Sequence, residues 1–390
     1  MNYNFDTTPC RLGSGSVKWD SSPVEGAIPM WVADMEFPAA PCIIEALKRR
    51  VDHGVFGYSY VGDDYYKALS GWFETRHGFS IDRSEVIYTP GVVPAISAVI
   101  KALVARDQGV IIQSPVYNCF FSSIHNNGCR IVENPLILRS ADSRSFTFEI
   151  NFEDLEAKAS DPANRMLLLC NPGNPAGRLW SIDELRRIAE ICRRHNVTIV
   201  SDEIHCELTA PGTSYNPITT VAPEAIQLLS PSKAFNTAGL QIANIVCRDP
   251  EQRAAIDRAV NINEVCDVNP FGVEALKAAY TAEGAEWLDQ LRAYLHDNYL
   301  TLCDMTAELM PEVKVSRLEA TYLPLLDVRA TRFGSDTAAL EQLLLERGKV
   351  WVNSSEHYGA CGFLRVNIAC SREMMREGIR RIASVITSPV

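Results

Sequence analysis

Apolar and polar positions along the chain switch between two repeats, one typical of strands and one typical of helices. From about residue 40 to 280, short apolar runs alternate with longer segments in which apolar residues recur at helical spacing. The segment 181–196 is predicted as a helix, because Ser181 and Glu184 form a capping-box sequence ahead of an apolar face. The β-branched run 197–200 that follows suits a strand buried on both faces. This alternation predicts an α/β domain with a mostly parallel sheet.

The remaining predicted elements divide the chain into two domains. After about residue 285 the order changes to a long helix, two strands, a helix, two short strands and a terminal helix, which predicts a smaller α+β domain. The first 40 residues show little periodicity, and we expect them to pack on that smaller domain or on a partner subunit. The predicted boundaries are 41–284 for the large domain and 1–40 with 285–390 for the small one. Further strands are predicted at 85–89, 109–113, 166–170, 226–230, 242–247, 313–317 and 321–328, and further helices at 63–76, 91–104, 117–126, 336–347 and 371–386.

The composition is that of a globular protein and argues against several functions. Of the 390 residues, 47% are hydrophobic and 22% are charged, and the formal net charge is −11. This charge opposes nucleic-acid binding, because a phosphate backbone needs a clustered basic surface. No apolar run approaches the roughly 20 residues that span a bilayer, and no signal-peptide pattern opens the chain. We therefore expect a cytoplasmic protein that does not bind membranes.

Cysteine and histidine spacing argues against a metal centre. The twelve cysteines include no CxxC pair, and several lie in apolar runs where cysteine acts as a small hydrophobic residue, so we expect reduced, structural thiols. The seven histidines form no HExxH or closely paired pattern. A metal ion held by protein side chains is therefore not expected.

Four loops that follow predicted strands carry unusual residues, at 89–94, 171–177, 202–205 and 230–236. Their position matters because ligands of an open parallel sheet bind beyond the carboxyl ends of its strands. In the first loop, Gly91 leaves room for a phosphate at the backbone N–H groups of a helix start, although Gly-Pro turns are common without a ligand. In the second, two prolines restrict the loop that carries Asn174 over the strand end. The alternative for the second loop is a polar surface turn.

Asp202 and Lys233 bring charge to the other two strand ends. A carboxylate at the end of a buried strand is costly unless it meets a positive charge, and a pyridinium nitrogen is such a partner. Lys233 stands beside the hydroxyls of Ser230 and Ser232, which suit a phosphate, and burial there can lower its pKa enough for imine formation. The alternatives are a helix cap for Asp202, a solvated surface group for Lys233 and a packed side chain for His205.

The order and spacing of these loops resemble fold type I enzymes of the aminotransferase class I/II group, which use pyridoxal 5′-phosphate (PLP). The resemblance covers nearly the whole chain and implies a three-layer αβα large domain with PLP as cofactor. It implies that Lys233 carries PLP as a Schiff base, that Asp202 pairs with the ring nitrogen and that Asn174 hydrogen-bonds the ring's phenolic oxygen. The resemblance also implies that Arg365 binds the substrate carboxylate. The residues that it places against the phosphate and ring of the cofactor are Gly91, Val92, Val93, Ser230, Ser232, Tyr117 and His205.

A tyrosine outside these loops carries an implication about assembly. Tyr58, in the segment 56–58, resembles a tyrosine that reaches the cofactor phosphate of the neighbouring subunit in this group. The resemblance therefore implies a homodimer with shared active sites. An aromatic side chain in a surface loop is the alternative.

Further segments resemble the MalY/PatB-like cystathionine β-lyases, a subgroup of C–S lyases. They are residues 18–20, 29–35, 56–58, 202–205 and 232–236, of which Trp-Val-Ala-Asp-Met at 31–35 is the most diagnostic. This resemblance adds Asp34 to Arg365, Tyr117 and Asn174 as substrate-binding residues. It implies α,β-elimination of L-cystathionine or related cysteine S-conjugates to pyruvate, ammonia and a thiol. The chain departs from the pattern at Gly173, where the subgroup often has histidine, and His205 stands where many aminotransferases have tyrosine.

Two other functions stay open at this point. An aminotransferase would share the first steps of the reaction, so the core motifs do not separate it from a lyase. A PLP-binding regulator is the alternative from another class. Regulators that fuse this fold to DNA-binding domains carry an N-terminal basic helical module, and none is seen in this sequence. We therefore expect an enzyme that acts on a small amino acid.

Overall fold

A computed structural model describes residues 3–262, 264 and 267–388 and contains two main β-sheets. The strands are β1 Ile28–Pro29, β2 Val86–Thr89, β3 Gly109–Ile112, β4 Arg130–Glu133, β5 Ile137–Ser140, β6 Ser145–Glu149, β7 Asn164–Cys170, β8 Thr198–Asp202, β9 Ile226–Leu229, β10 Ala243–Val246, β11 Lys314–Ser316, β12 Leu325–Asp327, β13 Val350–Trp351, β14 Asn353–Ser354 and β15 Phe363–Arg365. The α-helices are α1 Val17–Asp20, α2 Pro41–His53, α3 Asp63–His77, α4 Val92–Leu103, α5 Asn118–Asn126, α6 Phe152–Ala159, α7 Ile182–Arg194, α8 Pro250–Asn261, α9 Pro270–Ala279, α10 Ala282–Leu309, α11 Thr337–Leu343 and α12 Arg372–Thr387. Short 3₁₀ segments lie at Arg83–Glu85, Ile218–Thr220, Ala238–Leu240 and Ser355–Tyr358.

The larger sheet has seven strands in the order β2-β10-β9-β8-β7-β3-β4. Its ladders are parallel except at β10, which runs antiparallel to both of its neighbours. In the ladder between β7 and β8, Cys170 pairs with Asp202, so these two strands end at the same level. The predicted mostly parallel sheet is confirmed, and its strand ends lie side by side where loops can form a site.

Helices cover both faces of this sheet. Along β7, Met166 and Leu168 pack in one buried cluster with α4 and α5, whereas Leu167 and Leu169 pack in another with α6 and α7. This alternation follows from the two-residue repeat of a strand, and both sets are apolar because both faces are covered. The three-layer fold predicted for the large domain is therefore confirmed. On α7 the predicted capping box is present, with the Ser181 hydroxyl accepting from the Glu184 backbone N–H at 3.2 Å.

The smaller sheet has six strands in the order β14-β15-β12-β11-β6-β5. The hairpin formed by β5 and β6 belongs to this sheet, through parallel pairing of β6 with β11, although its residues lie within the range 41–284 assigned to the large domain. The N-terminal segment also reaches the C-terminal half, since Ile28 of β1 pairs with Val350 of β13. The division into two domains at residue 284 remains a prediction.

The predicted helices and strands agree with the structure except at a few places. The helix predicted at 336–347 is α11 followed by a π-helical turn at Leu344–Gly348, and the long helix α10 begins before residue 285. The 28 residues of α10 pack with α12 against the smaller sheet. Among the helices of the described ranges, none combines the length and the apolar character that crossing a membrane requires.

Candidate active site

The four loops singled out by the sequence meet at one cavity beyond the carboxyl ends of the larger sheet. This cavity of about 270 Å³, here called the inner cavity, is lined by parts of all four loops. The predicted site residues on its wall are Gly91, Val92, Val93, Tyr117, Asn174, Asp202, His205, Ser232 and Lys233. A second cavity of about 470 Å³, here called the outer cavity, shares Tyr117 and Lys233 with the first and includes Arg365. Three predicted residues, Ser230, Asp34 and Tyr58, line neither cavity.

Lys233 stands between the two cavities. Its Nζ donates a hydrogen bond to the backbone carbonyl of Ala33 at 2.7 Å. Burial, aided by the positive charge of Arg365, lowers the pKa of Lys233 to about 8. A large fraction of this amine is therefore neutral near pH 8, which is the form that attacks a carbonyl or accepts a proton.

Asp202 is a buried carboxylate that lacks a cationic partner. Its Oδ1 accepts from the backbone N–H of Ile204 at 3.1 Å, and it takes part in no ion pair among the residues that the structure describes. Burial raises the pKa of Asp202 to about 7, against the effects of the Ile204 hydrogen bond and the Lys233 charge. The charged form is thus costly here, and a cation in the inner cavity would stabilise it.

His205 presents a buried nitrogen without a partner. Only 2% of its surface is exposed, and its Nδ1 makes no hydrogen bond. Burial lowers the pKa of His205 to about 3, so the ring is neutral, and it packs edge-on against Tyr322 at 6.4 Å between centroids. A ligand in the inner cavity is the natural partner for such a group.

Arg365 is a buried cation that pairs with no carboxylate in the described part of the chain. Its Nη2 donates to the backbone carbonyl of Trp31 at 2.7 Å, its Nη1 lies 3.4 Å from Asn174 Oδ1, and its Nε has no partner. The guanidinium lies 4.5 Å from the ring centroid of Tyr358. Burial lowers the pKa of Arg365, as expected of a desolvated cation. The planar fork of donors is suited to a carboxylate bound in the outer cavity.

The opposite end of the inner cavity is suited to an anion. Helix α4 begins at Val92 with Gly91 as its N-cap, and no side chain caps this end. The first backbone N–H groups therefore point to the cavity unpaired, with the helix dipole behind them. Ser232 adds a hydroxyl on the wall. Ser230 lies behind it, where its hydroxyl donates to the Ile242 carbonyl at 2.6 Å and accepts from the Ser232 N–H at 3.1 Å.

Tyr117 precedes α5 as its N-cap and lines both cavities. Burial, with a smaller effect of Cys119, raises the pKa of Tyr117 well above its usual value. The phenol is therefore neutral, and its ring is available for stacking on a flat ligand.

A backbone segment from which the sequence assigned only Asp34 to the site contacts Lys233. In this segment, residues 31–35, here called the strap, every carbonyl oxygen accepts a side-chain hydrogen bond. The donors are Arg365 and Asn353 to Trp31, Asn367 to Val32, Lys233 and Tyr322 to Ala33, Lys18 and Asn367 to Asp34, and Arg11 and Asn236 to Met35. The diagnostic sequence 31–35 is thus held mainly through its backbone.

Asp34 of the strap already has cationic partners. Its carboxylate lies 2.6 Å from Arg11 Nη2 and 3.3 Å from Lys18 Nζ. Burial alone would raise the pKa of Asp34, but the hydrogen bond from Arg11 and the charge of Lys18 hold it below its usual value. Lys18 also binds Glu36 at 2.6 Å, so these side chains form one ion network beside the site.

Tyr58 lies away from both cavities of this chain. Its side chain is 95% exposed, and the neighbouring Phe56 and Tyr60 are 57% and 84% exposed. The predicted contact with a partner's cofactor site stays a prediction. Two residues at the site were missed by sequence reasoning: Gln241, on the wall of the inner cavity, and Tyr322, against His205. Neither has a local signal, because the first is a turn residue and the second is a buried aromatic like many others.

Comparison with known proteins agrees with this architecture. The family model described as aminotransferase class I and II matches residues 28–382. Cystathionine beta-lyase PatB of Bacillus subtilis is 38% identical over 394 residues, which cover 98% of this chain and 100% of that protein. Protein MalY of Escherichia coli is 34% identical, with 98% and 99% covered. The crystal structure of cystalysin from Treponema denticola, which contains a pyridoxal 5′-phosphate cofactor, superposes with a TM-score of 0.92 at 31% identity and 99% coverage of each chain. The predicted resemblance is confirmed, and the chain belongs to the aminotransferase class I and II family.

Proposed function

We propose that this protein is a PLP-dependent carbon–sulfur β-lyase that converts L-cystathionine or related cysteine S-conjugates to pyruvate, ammonia and a thiol. The observation that carries the proposal is a buried lysine that lines both cavities, with Asp202 on the inner one and Arg365 on the outer one. Within the described residues, neither of these two buried side chains has an oppositely charged partner. The relatives PatB and cystalysin, which match over nearly their whole length, support the choice of cofactor and reaction.

The inner cavity fits PLP by its donor set. Lys233 offers the amine for the aldehyde, and Asp202 offers a carboxylate that lacks a cation. The unpaired nitrogen of His205 and the amide of Asn174 offer hydrogen bonds to ring substituents. At the other end, the start of α4 and the Ser232 hydroxyl suit a dianionic phosphate. When bound, PLP supplies an electron-poor ring that accepts the electron pair of the substrate's Cα–H bond.

The chain's own residues then account for binding and proton transfer. Arg365 and Asn174 bind the α-carboxylate and fix the orientation of Cα. Lys233 Nζ, whose pKa of about 8 leaves much of it neutral, takes the Cα proton. The carbon–sulfur bond breaks with both electrons on sulfur, a thiolate leaves, and hydrolysis of the remaining three-carbon unit yields pyruvate and ammonia.

We further propose a cytoplasmic homodimer in which Tyr58 reaches the cofactor phosphate of the partner subunit. The proposal is supported by the exposure of three aromatic side chains, Phe56, Tyr58 and Tyr60, within one loop, since contiguous exposed apolar surface of this kind commonly marks an interface. Sedimentation equilibrium of the wild-type protein would test the dimer. Absorbance titration of the wild-type protein and of Y58A with PLP would test the contribution of Tyr58 to PLP affinity.

Incubation of the PLP-loaded protein with L-cystathionine in the absence of a keto acid tests the reaction. Pyruvate is followed by coupling to lactate dehydrogenase, and thiol is followed with a disulfide reagent. Steady formation of both over many turnovers is expected. A single conversion equal to the enzyme concentration would instead identify an aminotransferase. K233A is the control, because it lacks the amine that takes the Cα proton.

A further inference from the structure

The outer cavity extends beyond the groups that the proposed reaction uses. Lys233, Tyr117 and Arg365 form one part of its wall, where Cα and the α-carboxylate of a substrate would lie. The rest of the wall includes Trp351, Glu341 and the exposed His357, which have no part in proton transfer or carboxylate binding. At about 470 Å³ the cavity is larger than the amino-acid core alone requires, so the remaining wall faces the substituent on sulfur.

An aromatic pair forms a rigid side of this region. The rings of Trp31 and Trp351 are stacked, with centroids 4.1 Å apart and planes inclined by 17°. Trp351 lies on β13, which pairs with β1, and its carbonyl accepts from the Met30 N–H at 2.7 Å. Trp31 Nε1 donates to the Lys18 carbonyl at 3.2 Å. Indole faces attract cations more strongly than other aromatic faces do.

Glu341 places a carboxylate in the same cavity. Its side chain, carried by α11, is 18% exposed, and its Oε2 accepts from the Ser354 N–H at 2.6 Å. The same oxygen lies 3.4 Å from His357 Nε2, whereas Oε1 accepts no hydrogen bond from any residue of the described ranges. One oxygen thus anchors the side chain to the backbone and the other is open to a donor in the cavity.

We propose that Glu341, acting with the stacked Trp31 and Trp351, selects substrates whose sulfur substituent carries an ammonium group. This inference rests on the proposed function, because it assigns the far end of the same substrate. The α-carboxylate lies at Arg365, Cα lies at Lys233, and the substituent follows the indole wall to the carboxylate. A partly buried carboxylate beside aromatic faces favours an ammonium over a neutral group of equal size.

Two thioethers of equal length test this selection. S-(2-aminoethyl)-L-cysteine and S-propyl-L-cysteine differ only by an ammonium in place of a terminal methyl group. The wild-type protein should cleave the first with a kcat/KM about tenfold higher than the second, the ratio expected of one partly buried charge pair. In E341Q this ratio should fall to within about twofold of unity, because glutamine keeps an acceptor for Ser354 N–H and removes the charge. E346Q, at an exposed position of the π-helical turn that follows α11, is the matched control and should keep the wild-type ratio.

Binding measurements separate this inference from the proposed reaction. In a K233A background, calorimetric titration of both thioethers into the PLP-loaded protein gives affinities without turnover. The subsite is supported if K233A binds the aminoethyl compound more tightly than the propyl compound and K233A/E341Q does not. This result would hold even if no thioether yielded pyruvate, and then only the lyase proposal would fail. Pyruvate formation with equal ratios in wild type and E341Q overturns the subsite and leaves the lyase. Equal affinities of the two compounds in K233A also overturn the subsite, and this reading holds if E341Q fails to fold.

Discussion

Replacing Asp202 by asparagine tests the idea that the site holds an uncompensated charge until its cofactor binds. Asparagine has the same shape and keeps an oxygen that can accept from the Ile204 N–H, which lies 3.1 Å from Oδ1 in the wild type. The substitution therefore removes the charge with little change in packing. Since the carboxylate is only 3% exposed and has no cationic partner among the described residues, D202N should stabilise the cofactor-free protein.

The magnitude follows from the shift of the pKa from 3.8 to about 7. Such a shift corresponds to about 4 kcal/mol of the free energy of unfolding. Because the folded-state pKa is raised, the contribution of Asp202 is fully present below pH 3.8 and is lost as the pH rises to about 7. The excess stability of D202N over the wild type should thus grow by about 2–3 kcal/mol between pH 5 and pH 8.

Urea denaturation of both cofactor-free proteins across this pH range measures the effect. D183N, which removes an exposed carboxylate at the start of α7, is a matched control for loss of one negative charge. Addition of PLP should reverse the order, because a cationic ring nitrogen gives Asp202 a partner for its charge, whereas the neutral amide of D202N gains no such ion pair. A stability difference that is the same at pH 5 and pH 8, or a less stable D202N at pH 8 without PLP, would refute the reasoning.

Three further substitutions test other parts of the site. R365K should raise KM for the amino-acid substrate by roughly 10- to 100-fold, because lysine lacks the planar fork of donors, and steady-state kinetics measure this. E203Q should lower the free energy of unfolding by about 2–4 kcal/mol, as followed by urea denaturation. The reason is that the amide group of glutamine would face two of the hydrogen-bond donors that the buried Glu203 carboxylate accepts from. These donors are Ser201, Asn171, Tyr215, Gln227 and the Ile218 N–H. N367A should cost about 1–3 kcal/mol in the same assay, because it leaves the Val32 carbonyl without a side-chain donor and the Asp34 carbonyl with Lys18 alone. The strap should loosen, and hydrogen exchange at residues 31–35 should rise. An E203Q or N367A protein as stable as the wild type would contradict these assignments.

The strand ends were predictable because the signal for them is local. A buried strand such as β8 contains a short apolar run, and the charged residue at its end, here Asp202, must lie at the edge of the sheet. The convergence of Asn174, Asp202 and Lys233 on one cavity follows from the parallel strands β7, β8 and β9. Gly91 joins them because β2, on the far side of the antiparallel β10, runs in the same direction as β9. The exception, β10, is antiparallel, and its apolar run does not differ from those of its parallel neighbours.

Contacts between distant segments were not predictable in the same way. The sequence of the β5–β6 hairpin does not reveal which sheet the hairpin joins. Its partner β11 lies about 170 residues later in the chain, with Val315 paired to Ser145. The strap is a similar case, because its carbonyls are bound by side chains from both halves of the chain, such as Lys18 and Asn367. Backbone acceptors leave no trace in the sequence, so their partners appear only in three dimensions.

The two aspartates assigned to the site show why charge in a sequence does not identify a binding group by itself. Both are candidates for contact with a ligand, yet Asp34 is paired with Arg11 and Lys18 whereas Asp202 has no cationic partner among the described residues. Arg365 is likewise without a carboxylate within the described part of the chain. Burial of an unpaired ion lowers the stability of the protein alone, so these two charges gain their partners only from a ligand that presents a cation to Asp202 and an anion to Arg365. A pyridine cofactor and an α-amino acid bound together at Lys233 supply both groups, because the ring nitrogen is the cation and the α-carboxylate is the anion. An amine without a carboxylate would leave Arg365 unpaired. Selection of amino acids over simple amines is therefore a consequence of the two unpaired charges and does not require the carboxylate of Asp34.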